Sequence, residues 1–548
     1  MRAVPGGVGL IVIAGLFYHG ITPEKRFDAI IRQGTIYDGS GNKPFVADIG
    51  IMGDTIAAIG DLEDAVAKTD INATGLAVTP GFINMLSMAE RSLLLDGRSM
   101  SDIRQGVTLE VMGEGWSAGP AKRNLKKPVD SLWTTLDGYF NWQMKKGSST
   151  NIASFVGATT IRNYVLEKAN RAPTAEELQR MKMLVREAMQ QGAMGLSTSL
   201  IYAPADYAKT EEIIALAQVA SEHDGLYITH MRSESDHILK ALNETFRIAR
   251  EAGIRTEIYH LKINHDRNWD KINKVIAKID SAQKAGLVIT ANMYPYAASN
   301  TALTARLPNW VQETSAAEMR KRLKNPATRK KVLEEMRLGI PTKNSDPKSV
   351  VMLGFRLDSL NKLYRGKRLD EVAAIHGKDA DETLIDLIVK DKSPGAGVYH
   401  LQTEDNVRRI LQLPYVSFGS DGASFSDAKV FDEWGTHPRA FGTFARVLGK
   451  YVREEKLVTL EEAVRRLTSL PAANLKIKNR GKLQTGYFAD IAIFDAHEIM
   501  DKATYEDPKQ YAVGMKYVFV NGTQVLNNGA HTGAMPGRIV RGPGWKKK

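Results

Sequence analysis

Two short runs, GLYITHMR (225–232) and RTEIYHLK (255–262), each carry an apolar, β-prone segment into a histidine and then a cation. Their histidines, His230 and His260, stand 30 positions apart, the length of one strand–helix–strand unit. Similar apolar runs recur on either side: ASFVGA (153–158), GAMGLST (192–198), LVITANMYPY (287–296) and YVSFGSD (415–421). Between them lie amphipathic stretches, TAEELQRMKMLVREAMQQ (174–191) and TEEIIALAQVASEHD (210–224). Short buried strands alternating with helices predict a parallel α/β architecture, a TIM-type (β/α)8 barrel. Such a barrel gathers chemistry at the C-terminal ends of its strands, where the ionisable residues of these runs fall.

Both ends of the chain have a different texture. DAIIRQGTIYDGSG (28–41), VADIGIMGDTIAAIG (46–60) and LAVTPGFI (76–83) alternate with Gly-rich turns, as do GYFADIAIFD (486–495) and GMKYVFVNGTQVLNNG (514–529). The expected division is a small β-sandwich domain built from 27–80 and 481–548, enclosing a catalytic barrel at 81–480. A largely helical insertion over the barrel mouth is expected at about 303–394, with SVVMLGF (349–355) as its one strand-like run.

Composition narrows the chemistry. Of 548 residues, 43% are hydrophobic and 25% charged, as in an ordinary globular protein. With no cysteine, disulfides, thiolate ligands and thiol nucleophiles are excluded. The net charge of +12 is spread over helices with interleaved acids, as in EMRKRLKNPATRKKVLEEMR (318–337), so no nucleic-acid partner is expected. The apolar run Val8–Tyr18 is too short for a transmembrane span. Residues 1–26 read as an N-terminal extension or a signal segment; a signal would export the protein, and without one it would be cytoplasmic.

His230 and His260 at equivalent ends of neighbouring strands suit a metal such as zinc, and Asp421, closing YVSFGSD, suits a general base. One strand histidine alone would read as a hydrogen-bonded core residue; the repeated placement points to a site. Glu114, set between glycines in GVTLEVMGEGWS (106–117), is the candidate third ligand, the glycines letting backbone come close to an ion or substrate.

Taken together, TPGFIN (79–84), RQGVTLEVMGEGWS (104–117), GLYITHMRSE (225–234), YHLK (259–262), FGSDG (418–422), THPRAFGTF (436–444) and GYFADIAIFD resemble the amidohydrolase superfamily. Within it they are most similar to the N-acyl-D-amino-acid deacylases, or D-aminoacylases, over nearly the whole chain after about Arg26. The resemblance implies a metal-bearing (β/α)8 barrel that hydrolyses N-acyl amides with metal-activated water. It places metal ligands at Glu114, His230 and His260 and the general base at Asp421. It also places Lys262 at the α-carboxylate of a small acyl-amino-acid substrate, with Tyr202, Tyr294 and Tyr296 as pocket residues.

One departure stands out. Where the family's first strand ends in a D-x-H-x-H pattern, this chain has Asn84, Leu86 and Met88. Leucine and methionine do not replace imidazole at a zinc site, and both are sized to fill the vacated volume. The expectation is a single zinc, or none, in a degenerate site. Alongside hydrolysis stands a repurposed barrel, making amides, condensing or eliminating, or merely binding a ligand. The acyl group, side chain, stereochemistry and oligomeric state are not written in the sequence.

Overall fold

A computed structural model describes residues 1, 26–122, 132–338, 346–432 and 434–547. The segment read as an extension or signal lies, between residues 2 and 25, outside the described residues. Among the described residues no helix is long and apolar enough to cross a membrane.

Eight parallel strands form the central barrel: β1 (Phe82–Asn84), β2 (Val107–Met112), β3 (Asn151–Ser154 with Val156–Gly157), β4 (Gly195–Ser199), β5 (Leu226–His230), β6 (Thr256–Ile258), β7 (Ile289–Met293) and β8 (Val416–Phe418). They pair in chain order, β1 to β2 to β3 and β4 onward to β8. Closure comes from β8 against β1: Met85 N–H donates to Phe418 O at 3.1 Å, and Asp421 N–H to Leu86 O at 2.8 Å. Ile83, Met85, Leu109, Val111, Phe155, Ile228 and Tyr259 pack into one apolar cluster, a solid core rather than a pore.

The connecting helices follow local signals. Thr174 and Glu177 form a reciprocal capping box at the start of helix Ala175–Gln190. Helix Ile238–Ala252 stops at Gly253, whose left-handed conformation a side chain would resist. Helices Ala175–Gln190 and Thr210–Glu222 lie where the amphipathic runs predict them.

The two ends of the chain share a nine-stranded sheet. Its joint is Ala77–Pro80 running antiparallel to Ile491–Phe494, with Ile491 opposite Pro80. The segment over the barrel mouth is carried on a three-stranded antiparallel sheet, Ser299–Ala302, Val350–Gly354 and Ala396–Tyr399. It has a hydrophobic cluster of its own, including Leu303, Leu323, Val332, Met352, Leu384 and Ile388.

Candidate active site

A cavity of about 590 Å³ opens at the C-terminal ends of the barrel strands, between the barrel and the mouth segment. His230 is the last residue of β5 and faces it directly. His260 sits two residues beyond β6 at φ +33, its N–H donating to Asn292 Oδ1 at 2.8 Å. Asp421 lies three residues beyond β8 at φ +47, held by its N–H on Leu86 O. These left-handed turns at non-glycine positions are a cost that a packed site sustains, and they aim both side chains into the cavity.

Glu114 follows β2 between Gly113 (φ +100) and Gly115 (φ +64). Both glycines admit the neighbouring strands at close range. A Cβ on Gly113 would lie 2.6 Å from Phe155 O, and one on Gly115 2.5 Å from Ser199 Oγ. Close strand packing thus puts the Glu114 carboxylate on the cavity floor.

There Glu114 Oε1 lies 2.8 Å from His230 Nδ1 and 3.1 Å from His260 Nε2. The two imidazole rings stand nearly perpendicular, with centroids 4.4 Å apart. The three ligand atoms fall within 4.8 Å of one another, all buried. Two nitrogens and one carboxylate oxygen converging in this way suit zinc, whose catalytic sites take three protein ligands and keep one position for water or substrate. Burial raises the Glu114 carboxyl, but the hydrogen bonds from both imidazoles outweigh it and hold the group well below the usual carboxylate range. Burial and Lys262 depress His260, yet Glu234 and Glu114 prevail and lift it to about 9.

Asp421 is pushed above the usual carboxylate range, by burial first and against the opposing pull of Arg439. Arg439 Nη1 is 2.9 Å from Asp421 Oδ2, and its guanidinium lies 4.6 Å from the Tyr294 ring centre. Arg439 lines the cavity as a buried cation whose Nη1 is paired with Asp421 and whose Nε makes no hydrogen bond.

The remaining predicted residues divide. Tyr202 lines the cavity, its ring 5.2 Å from that of His230. Tyr294 lines it also, between Arg439 and Lys262. Tyr296 does not: its hydroxyl meets Asp501 Oδ2 at 3.3 Å and its ring stacks on Arg446, behind the wall. Lys262 lines the cavity but is already engaged, with Nζ 2.6 Å from Glu234 Oε1 and 2.7 Å from His260 Nδ1.

The altered first strand is also more varied than two apolar fillers. Leu86 is buried, 1% exposed, in the barrel's apolar cluster. Met88 is 42% exposed and lines the cavity, so it paints an apolar wall rather than plugging a core. Asn84 faces neither: its Nδ2 donates to Ser420 Oγ at 2.9 Å and Glu110 Oε2 at 3.2 Å, and lies 3.4 Å from Asp102 Oδ1. An aspartate there would set a third carboxylate beside two buried ones, whereas asparagine supplies donors. Sequence reading missed Glu234, Arg439 and the Asp102–Glu110 pair. The first two stood inside quoted motifs, GLYITHMRSE and THPRAFGTF, but their partners are set by tertiary contacts.

A family model described as "Amidohydrolase family" matches residues 70–526 of the chain. The chain belongs to the amidohydrolase family. This amidohydrolase is 36% identical over 529 residues to a D-aminoacylase of Alcaligenes xylosoxydans xylosoxydans, covering 94% of this chain and 98% of the relative. It is similar to the structure of an N-acyl-D-glutamate deacylase from Bordetella bronchiseptica complexed with zinc and a phosphonate inhibitor that mimics the tetrahedral intermediate. That match has a TM-score of 0.80 at 30% identity, over 94% of this chain and 100% of that one. A D-aminoacylase structure concerned with a binuclear centre, with one-metal activation and second-metal attenuation, matches with a TM-score of 0.78 at 33% identity, over 94% and 100%.

Proposed function

We propose that this amidohydrolase cleaves the amide bond of N-acyl-D-amino acids at a single zinc held by Glu114, His230 and His260. The observation that carries the reading is the convergence of Glu114 Oε1, His230 Nδ1 and His260 Nε2 on one point of the cavity floor, with Asp421 and Arg439 at its wall. The names of the relatives supply the substrate class: a D-aminoacylase and an N-acyl-D-glutamate deacylase. The D-aminoacylase for which one metal is described as activating supports a mononuclear form.

Zinc at these ligands supplies Lewis acidity toward the amide carbonyl. Asp421 acts as general base: its carboxylate, made more basic by burial, accepts a proton from the attacking water. The water oxygen bonds to the carbonyl carbon first; Asp421 then delivers that proton to the amide nitrogen and the C–N bond breaks, yielding a carboxylic acid and a D-amino acid. Arg439 serves two purposes. It holds Asp421 in place through Nη1, and its charge at the cavity wall attracts the substrate α-carboxylate. Lys262, committed to Glu234 and His260, ranks behind Arg439 for that task. The buried cavity walls, Tyr202 and Tyr294 among them, exclude bulk water and strengthen these charges.

The test is zinc content of the purified protein together with amine release from N-acetyl-D- and N-acetyl-L-amino acids. One zinc per chain and release from the D series alone are the expected results. A metal-free protein, or release from neither series, would sink the reading and favour a barrel repurposed for non-hydrolytic chemistry or ligand binding.

A further inference from the structure

Glu234, four residues beyond His230, is buried at the back of both histidines. Its Oε1 lies 2.6 Å from Lys262 Nζ and 3.0 Å from His260 Nδ1. Its Oε2 accepts from Asn264 Nδ2 at 3.3 Å and faces His230 Nε2 at 3.5 Å. The backbone holds it in place, since Asn264 N–H donates to Glu234 O at 2.8 Å. One carboxylate therefore stands beside both imidazoles on the sides turned away from Glu114, with His230 Nε2 making no hydrogen bond in this state.

The chemistry of the rings makes this arrangement consequential. Binding a cation through His230 Nδ1 and His260 Nε2 requires those nitrogens to be bare, so His230 Nε2 and His260 Nδ1 must carry the protons. Lys262 works against this. Its ammonium, 2.7 Å from His260 Nδ1, is only a donor; when it donates there, the His260 proton moves to Nε2, the side facing Glu114. Glu234 Oε1, 3.0 Å from His260 Nδ1, is placed to take up the Nδ1 proton when a cation displaces the one facing Glu114, and it draws the ammonium to itself.

We infer that Glu234 is the positioning residue of the metal centre, a shared carboxylate that sets the tautomer of both histidines and keeps Lys262 from claiming His260. The inference rests on the zinc site proposed above. It extends the usual pairing of one outer carboxylate with one metal-bound histidine to a single carboxylate serving two histidines and a competing lysine.

The experiment measures the zinc dissociation constant of the full-length protein by chelator competition after zinc stripping, for the parent, Glu234→Gln, Lys262→Met and the double variant. Glu234→Gln is expected to weaken zinc about 10–100-fold. Lys262→Met alone should bind zinc at least as tightly as the parent, and the double variant should recover most of the loss. A general packing defect would show no such recovery. Parent-like affinity in Glu234→Gln overturns the inference, as does a double variant as weak as Glu234→Gln, or a Lys262→Met as weak as either. If zinc-free Glu234→Gln is unfolded by circular dichroism, Glu234→Asp replaces it, keeping the charge but losing the reach to His230 and His260; parent-like zinc affinity there also overturns it. A parent protein that takes up no zinc refutes the mononuclear site itself, and this inference with it. Zinc in the parent with unchanged variants refutes only the role of Glu234.

Discussion

Asp421, Leu86 and Met88 carry the sharpest consequences for individual side chains. Replacing Asp421 by Asn keeps the shape and removes the base. Turnover should fall by about 100-fold or more, the usual span of general-base catalysis, while zinc content stays at the parent value. Loss of zinc in that variant would instead make Asp421 a ligand. Leu86→His with Met88→His tests the proposed single-metal site, and zinc should rise from one toward two per chain, as counted by metal analysis. The two positions are unequal, however. Met88 already faces the cavity, whereas Leu86 is packed among apolar side chains, so its imidazole will lower the melting temperature unless a metal claims it.

The strand ends and the turns that follow them hold the site in place. Gly113 after β2 has φ +100 and no room for a Cβ beside Phe155 O. Gly113→Ala should therefore cost about 1–3 kcal/mol and move Glu114 off the cavity floor, read as a lower denaturation midpoint together with weaker zinc binding. The wall between β1, β2 and helix Met100–Ile103 buries Asp102 and Glu110 near Asn84. Burial pushes Asp102 up to about 6, against hydrogen bonds from Ser101 and Asn84; burial and the Asp102 charge push Glu110 well up too. An acid whose folded pKa exceeds its unfolded value near 4 stabilises the fold fully below that value. The contribution is lost as pH rises through the folded pKa. Between about pH 4 and 6 the parent should lose stability that Asp102→Asn does not, as measured by urea denaturation across that window. A parallel pH profile in the two proteins would contradict the shift.

Across the molecule, barrel and terminal sheet are joined by a buried polar network. Asp490 pairs with Arg480 and accepts from Asn521 N–H at 2.8 Å; Asn521 Nδ2 donates to Asn151 Oδ1 on β3 at 2.8 Å. The C-terminal segment also runs along β3, with Val540 N–H on Ile152 O at 2.8 Å. Removing one partner strands a buried charge, so Asp490→Ala should destabilise the whole chain by about 3–5 kcal/mol. A single shifted unfolding transition would show barrel and sheet melting as one unit. Two separated transitions would show that the network does not couple them.

The alternation of strands and helices, the β-rich ends and the metal-type residues at strand ends were legible in the sequence, because each is a local pattern of polarity and spacing. Helix Ala175–Gln190 begins at its own capping box, and His230 ends β5 as the run GLYITHMR predicts. That Asn84, Leu86 and Met88 stand at the end of the first strand was legible too, since it needs only residue identities. What the tertiary structure decided is which side chains meet. Tyr294 and Tyr296 look alike two residues apart, yet only one reaches the cavity. Lys262 reads as the cation that meets the substrate carboxylate; it lines the cavity, as Arg439 does, but its ammonium is held by Glu234. Partners far apart in the chain, such as Asp421 with Arg439 and Glu114 with both histidines, are brought together by barrel closure. No local pattern encodes that distance, because it depends on how eight separate strands pack around one shared core.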